Sequence, residues 1–462
     1  MGTGVKRDGT ASDKRNGDSP YAPPPLPQTA ASVDEFVAGK CQTTPSPEIS
    51  TLMTEVLDPE NLKRALERVK RNKGAPGIDG MTVDELGVHL KANWPDIREQ
   101  LVAGSYQPEP VKRVEIPKPD GRKRLLGIPT VTDRFIQQAI AQVVQRHWEP
   151  HFHPRSYGFR PGRNAHQAVR YAQATIRQGY GWVVDIDMEA FFDRVNHDRL
   201  MVRVRQHVDA PDVLRLINRF LKGGVQVAGQ CQATTQGVPQ GGPLSPILAN
   251  VVLDELDWML ERQGHRFARY ADDCNIFVKS KRAGERIMDS VTCYLRDSLR
   301  LTVNAQKSAV DRPRNRKFLG FTVSRGDARI KVAPKAIESL KTKIRELTRR
   351  TRGHRLADIV QELKTALTGW KAYFGIAEVM SPLREIDKWV RRRLRCYAWK
   401  QWGSAGYREL RKRGVSVREA WNTSKSAHGP WRLSQTPALT LALPIKLFRQ
   451  MGLPELASAR AA

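Results

Sequence analysis

Cysteine is scarce in this sequence and never comes in pairs. Cys41, Cys231, Cys274, Cys293 and Cys396 stand apart, with no C-x-x-C spacing and no histidine pair at metal-ligand spacing. That excludes a disulfide-stapled scaffold and a zinc finger, and predicts reduced thiols in a cytoplasmic protein. Long apolar runs are also missing: no stretch approaches the roughly 18 apolar residues of a spanning helix, and the N-terminus lacks the apolar core of a secretory signal, so no membrane role is expected. Lys6 stands where a myristoylation signal needs Ser or Thr, and Asp8, Asp13 and Asp18 do not suit a transit peptide. There are no long tandem repeats. Gly241-Gly242-Pro243 is not a Walker phosphate loop, because no lysine follows in the required pattern. Acid is in short supply as well, with 48 Asp and Glu against 77 Lys and Arg, for a formal net charge of +29. A surplus of that size favours a polyanionic partner, nucleic acid first, through phosphate neutralisation and counterion release.

The 462 residues suffice for two or three domains. Residues 1–50, with "YAPPPLPQTAAS", hold too few large apolar side chains to offset the entropy of ordering, and are read as a disordered arm. Order is expected to begin near "LDPENLKRALERVKRNKGAPGIDG", where Leu62, Leu66 and Val69 recur at helical spacing until Gly74, Pro76, Gly77 and Gly80 intervene. From about 105 to 330, short strand-like runs alternate with helical segments, which predicts an α+β region. "WVVDID" reads as a strand ending on acid. "SPILANVVLDELDWMLER" reads as a buried helix with Ser245 as N-cap and Pro246 at its first position. "HRFARYADDCNIFVKS" reads as a hairpin with Ala271-Asp272-Asp273 at its tip. Ile337, Leu340, Ile344 and Leu347 then predict an amphipathic helix. Between 341 and 413 there are 20 Lys and Arg against 7 Asp and Glu. There "KWVRRRLRCYAWKQW" mixes Arg391, Arg392 and Arg393 with Trp389, Tyr397, Trp399 and Trp402, which suits a nucleic-acid surface; a core of rings under a solvated face of arginines is the alternative. Residues from about 415 to the end read as a tail.

Against this charge balance, Asp272 and Asp273 stand out. Adjacent carboxylates repel unless a cation or a shared proton lies between them, and Mg²⁺ is a natural occupant, since it takes one or two carboxylates and completes its shell with phosphate and water. Alone, the pair would be an ordinary Asx turn. Asp187, at the end of a strand, supplies a third carboxylate on a rigid element. Three carboxylates can hold two metal ions for in-line phosphoryl transfer, the reaction of nucleotide polymerases. Asp185, on the same strand face by period-two alternation, and Asp193, beyond the strand, are the competitors. Arg160 and Arg163 can touch template phosphates or brace the helix that Asn164 starts, and Cys274 is expected to be packing.

Eight blocks occur in order between about 70 and 325: Lys73-Gly-Ala-Pro-Gly-Ile-Asp79, "IPKPDGRKRLLGIPTVTDRFIQQAI", "SYGFRPGRNAHQAV", "DMEAFFDRVNH", "TTQGVPQGGPLSPILANVVLDELD", "RYADD", "LTVNAQKS" and "FLGF". This series resembles the reverse transcriptases encoded by bacterial group II introns. The resemblance implies a right-hand polymerase with an α-helical thumb, working as an RNA-directed DNA polymerase. Asp187, Asp272 and Asp273 match its catalytic metal ligands, for two Mg²⁺ ions with Mn²⁺ as a substitute. Lys118 and Arg124 match the residues that neutralise the incoming dNTP's triphosphate, Gln240 the glutamine beside its sugar, Phe192 the ring that excludes a 2′ hydroxyl, and Lys307 a palm lysine. Tyr270 would lie under the primer end. Gly369-Trp370-Lys371-Ala372-Tyr373-Phe374 resembles the thumb, or maturase, signature. The implied division is fingers and palm over 51–330, with an N-terminal extension at 51–104, then the thumb over 331–415 and the tail over 416–462. The implied partners are group II intron RNA, an RNA template with DNA primer or target DNA, and dNTPs. Nothing in the tail resembles the family's C-terminal endonuclease. The alternatives are a reverse transcriptase of a defence, CRISPR-linked or diversity-generating system, and a non-catalytic splicing maturase; "GWKAYF" favours the intron family over the first, and the retained acids stand against the second.

Overall fold

The computed structural model describes residues 49–117, 123–227 and 229–458. The arm expected over residues 1–50 lies outside them except for its last two residues, and Lys118 lies outside them too.

Helical order begins before Leu57. α1 (Thr51–Val56) is capped by Ser50, whose Oγ accepts from the Met53 N–H at 3.1 Å. α2 (Pro59–Asn72) is the helix expected from Leu62, Leu66 and Val69, all buried; Asp58 caps it, Pro59 opens it, and Lys73 at φ +46° ends it ahead of Gly74. After α3 (Leu86–Val102), β1 (Val111–Pro117) and β2 (Lys123–Ile128) form an antiparallel hairpin, with Lys112 opposite Ile128 and Pro117 opposite Lys123. α4 (Val131–Trp148) is buried on nearly every side, as its apolar and amide-rich sequence requires. α5 (Ala165–Arg177) starts in a capping box, in which Asn164 and Gln167 each accept the other's backbone N–H.

β3 (Trp182–Ile186) is followed by α6 (Phe191–Arg194), α7 (His197–Arg205) and α8 (Pro211–Lys222). β4 (Val225–Val227) and β5 (Gln230–Gln232) then join the first hairpin in a sheet of order β2-β1-β4-β5. α9 (Ser245–Arg262) leads into the hairpin of β6 (Arg266–Tyr270) and β7 (Asp273–Val278), and α10 (Lys281–Asp297) into β8 (Ala309–Asp311). These strands make an antiparallel sheet of order β6-β7-β3-β8. Its faces alternate as the pleat dictates. Val183, Ala268 and Phe277 pack with Ala168, Val169 and Ala172 of α5. On the other face α10 lies so close that a Cβ on Gly284 would come within 2.5 Å of Val310 Cγ1.

β9 (Phe321–Val323) and β10 (Ile330–Val332) form a small ribbon ahead of a helical region. That region comprises α11 (Pro334–Leu347), α12 (Leu356–Phe374), α13 (Ser381–Trp402), α14 (Gly406–Lys412), α15 (Val417–Ser424), α16 (Pro430–Leu433), α17 (Pro437–Ala442) and α18 (Ile445–Gln450). Leu340 and Ile344 of the expected amphipathic helix are buried, with Ile337 and Leu347 packed beside them. The "GWKAYF" segment closes α12 and joins it to β9 and α5: Phe374 stacks on Trp370 and packs on Phe321, while the Tyr373 carbonyl is 2.6 Å from His166 Nε2.

Four expectations need correction. Ser245 lies inside α9 and not at its cap; Leu244 holds that place, and the Ser245 hydroxyl donates to the Pro239 carbonyl at 2.6 Å. Asp273 is the first residue of β7, paired with Tyr270, so the hairpin tip is Ala271-Asp272 alone. Asp187 stands one residue beyond β3, which ends at Ile186. Residues 416–458 are no tail: Leu433, Leu439, Leu443, Phe448 and Leu456 share one apolar core with Leu363, Leu367, Val390 and Leu394 of α12 and α13. Short helices interrupted by Pro and Gly carry little periodicity, which is why this packing was invisible in sequence.

Candidate active site

Because β3 and β7 are neighbours, the end of one strand and the tip of the β6–β7 hairpin emerge at the same edge of the sheet. Ile186 pairs with Cys274, and one step further along the ladder stand Asp187 and Asp273. Cys274 itself is fully buried packing, and burial pushes its thiol well above the ordinary range. The turn between Tyr270 and Asp273 is strained, since Ala271 sits at φ +56°, a conformation that costs a residue with a Cβ about 1–2 kcal/mol.

The carboxylates repel one another. Burial is the main cause that raises the pKa of Asp272 and of Asp273, and Asp187 raises both further through space. Asp185 and Asp272 add to the push on Asp273. An all-oxygen donor set of mutually repelling carboxylates suits a hard divalent cation. Among the described residues no group of three or more His, Cys, Asp or Glu side chains is arranged as a metal site. The residues present would supply an ion with carboxylate oxygens alone, leaving the rest of its shell to phosphate and water.

Lys307 reaches this edge, with Nζ 3.4 Å from Asp187 Oδ1. Asp187 is anchored from behind as well, its N–H donating to Ser308 Oγ at 2.9 Å. Asp185 is spoken for by Arg316, whose Nε and Nη2 donate to its Oδ2 at 2.8 and 2.6 Å. Burial still raises its pKa, with Arg316 pulling the other way. The same Nη2 donates to the Lys307 carbonyl at 2.5 Å, so one arginine neutralises the spare acid and fixes the loop that carries the lysine.

Beside the acids lies a cleft of about 490 Å³ whose walls include Arg124, Phe159, Phe192 and Gln240. Arg124 Nε donates to Gln240 Oε1 at 3.1 Å, and the charge of Arg124 acts on Asp272. The backbone closes the seam, with the Gly127 N–H donating to the Gln240 carbonyl at 3.0 Å. Gly241 adopts φ +135°, and a Cβ there would lie 2.6 Å from the Gly127 oxygen, so this approach needs glycine. Phe191 is buried and Phe192 is not, although their rings meet edge-on at 5.1 Å; the second of the two phenylalanines faces the cleft.

Residues 116–323 match the reverse transcriptase (RNA-dependent DNA polymerase) family, and residues 337–414 match the group II intron maturase-specific domain. Protein YkfC of Escherichia coli (strain K12) is 33% identical over 308 residues, covering 58% of this chain and 81% of its own. The group II intron-encoded protein LtrA of Lactococcus lactis subsp. cremoris is 35% identical over 218 residues, 46% of this chain and 36% of its own. The chain belongs to the group II intron-encoded reverse transcriptase/maturase family. Among solved structures, a chain titled "Partial Cas6-RT-Cas1--Cas2 complex" aligns with 54% of this chain and 43% of its own at 26% identity, with a TM-score of 0.35, too slight to carry an argument.

Several of the other residues expected at the interface of a group II intron reverse transcriptase have partners within the protein. Arg160 is buried, paired with Glu149 at 2.8 Å and donating to the His153 and Ser156 carbonyls, so it braces its loop. Arg163 is exposed, with its guanidinium 5.9 Å from the Tyr157 ring. Arg391 lies 3.9 Å from Glu455, Arg392 stacks 3.8 Å from the Trp431 ring, and Arg393 donates to Thr348 Oγ1 at 2.5 Å. Successive residues of a helix point about 100° apart. Three consecutive arginines therefore cannot share one face, and the C-terminal segment supplies two of the partners, Trp431 and Glu455. Tyr270 is half-buried at the end of β6, its ring 6.3 Å from Phe159. Two elements of the site escaped the sequence reading. One is Arg316; the other is the buried pair of Arg269 and Asp257, whose side chains are both 0% exposed.

Proposed function

We propose that this chain is an RNA-directed DNA polymerase that copies RNA into cDNA, and that it grips the RNA of its own intron to assist splicing and mobility. The observation that carries the reading is the meeting of Asp187 with the Asp272-Asp273 turn at one sheet edge, with Lys307 against the first acid and the Arg124–Gln240–Phe192 cleft beside the second. Asp187, Asp272 and Asp273 would hold two divalent ions, Mg²⁺ with Mn²⁺ as substitute, whose charge would assist the primer hydroxyl and the leaving pyrophosphate. The chain's own residues do the positioning. Arg124, together with Lys118, neutralises the triphosphate; Gln240 borders the sugar; Phe192 presents a ring where a 2′ hydroxyl would project; Lys307 restrains Asp187 before substrate arrives. Residues 51–330 serve as fingers and palm, and the helices from 331 onward as a basic thumb suited to the backbone and shallow groove of an A-form duplex.

Replacing both turn acids, Asp272→Ala with Asp273→Ala, tests the reading. Primer extension on an RNA template should vanish while affinity for RNA stays within a few fold. Undiminished extension would remove the acids from the chemistry, and extension by neither protein would leave a splicing maturase without polymerase activity.

A further inference from the structure

We propose that Arg269 is a positioning residue of this site: a buried guanidinium that holds the left-handed turn at Ala271 from behind and so fixes the direction in which Asp272 and Asp273 point. The inference rests on the reading that these acids act in catalysis, but its evidence lies behind the turn. All five guanidinium N–H donors are used inside the protein. Nε and Nη2 donate to Asp257, at 2.8 Å to Oδ1 and 2.5 Å to Oδ2. Nη1 donates to Asn250 Oδ1 at 3.0 Å and to the Ala271 carbonyl at 2.9 Å. Nη2 also donates to Ser156 Oγ at 2.8 Å. No donor remains for a ligand, so the role is not binding.

These partners form a cage around one peptide group. Asn250 and Asp257 come from α9, and Ser156 from a segment that adds itself to the edge of β6: the Arg269 N–H donates to the Arg155 carbonyl at 3.0 Å, and the Tyr157 N–H to the Arg269 carbonyl at 2.9 Å. Asn250 Nδ2 then donates to the Gly158 carbonyl at 2.8 Å. Gly158 lies so tightly against the turn that a Cβ on it would come 2.3 Å from the Ala271 nitrogen.

Stability alone does not account for this arrangement. A fully buried ion pair must overcome a large desolvation penalty, and apolar residues of similar volume in its place are often no less stable. A hairpin turn with a left-handed residue would ordinarily hold glycine. Here alanine occupies the position, and its carbonyl is held by an arginine that three other side chains, on two elements, orient. Geometry is what the cage secures.

The test uses the full chain with the pair exchanged for apolar residues, Arg269→Met with Asp257→Leu. The folded double variant should keep its thermal midpoint and its affinity for an RNA template annealed to a DNA primer, with kcat for nucleotide addition falling about 100-fold and KM for dNTP little changed, as expected of a misplacement near 1 Å. Amide hydrogen exchange should quicken over 269–274 and not across the rest of the palm, a readout that needs no activity. Adding Ala271→Gly to Arg269→Lys should recover about tenfold of the lost rate, because glycine removes the strain that the cage opposes. A folded double variant with wild-type kcat and unchanged exchange over the turn would overturn the inference. Should the double variant not fold, absence of rescue by glycine overturns it. Failure of the functional reading looks different: the wild-type chain extends no primer, and the exchange experiment still decides the role of Arg269.

Discussion

Asp185 and Asp187 lie two residues apart, and one arginine separates their roles. Arg316 occupies Asp185, while Asp187 is paired with the partly exposed Lys307. Period-two alternation put both acids on one face and could not choose between them, because Arg316 lies 131 positions from Asp185 and its approach depends on β8 and the loop after it. Phe192 is where spacing and packing agree: its neighbour Phe191 is core and its own ring borders the cleft. Phe192→Ala should leave dNTP incorporation largely intact and lower discrimination against ribonucleotides by roughly tenfold or more, read as the ratio of kcat/KM for dNTP and NTP. A second prediction concerns Asp254, whose pKa burial and the nearby Asp257 push up to about 6, above the usual carboxylate range. The folded state then binds a proton that the unfolded state has released, so this group's contribution to stability falls as pH rises from about 4 to about 6. Asp254→Asn should flatten that part of the stability–pH curve by about one proton in denaturant titrations.

The elements were legible where one period dominates. α2, α5, α9, the β6–β7 hairpin and α11 all stand where apolar spacing and turn residues put them, and Asn164 makes the cap expected of it. One legible signal was passed over. Asn250, Asp254 and Asp257 recur four and three apart in an otherwise apolar helix, a buried polar stripe whose partners had to come from elsewhere. Arg269 is the largest of those partners, yet no local pattern links a residue of β6 to α9. The C-terminal helices failed for the opposite reason, being too short for periodicity to declare itself. Their packing gives an element-scale prediction: Phe448→Ala, at a side chain 1% exposed in the core shared with α12 and α13, should destabilise the helical region by about 3–5 kcal/mol in chemical denaturation. A loose tail would lose nothing.

At the scale of the whole molecule, the positive surplus and the small acidic centre divide the work. A charge of +29 suits sequence-independent attraction of nucleic acid, and the basic helices after residue 333 carry much of it. The interior does the opposite, committing Arg269, Arg160 and Arg316 to internal partners. Arginine counts alone cannot separate the two populations, because Arg160 and the Arg391-Arg392-Arg393 run read alike by composition, and only packing shows Arg160 buried on Glu149. The central claim is that Asp187, from the strand, and the Asp272-Asp273 turn form one polymerising centre. Single-turnover primer extension on an RNA template, by the wild-type chain and by Asp187→Asn, tests it most directly. The account predicts full-length cDNA from the wild type and none from the variant, with template–primer affinity held within a few fold; equal extension by both proteins would contradict it.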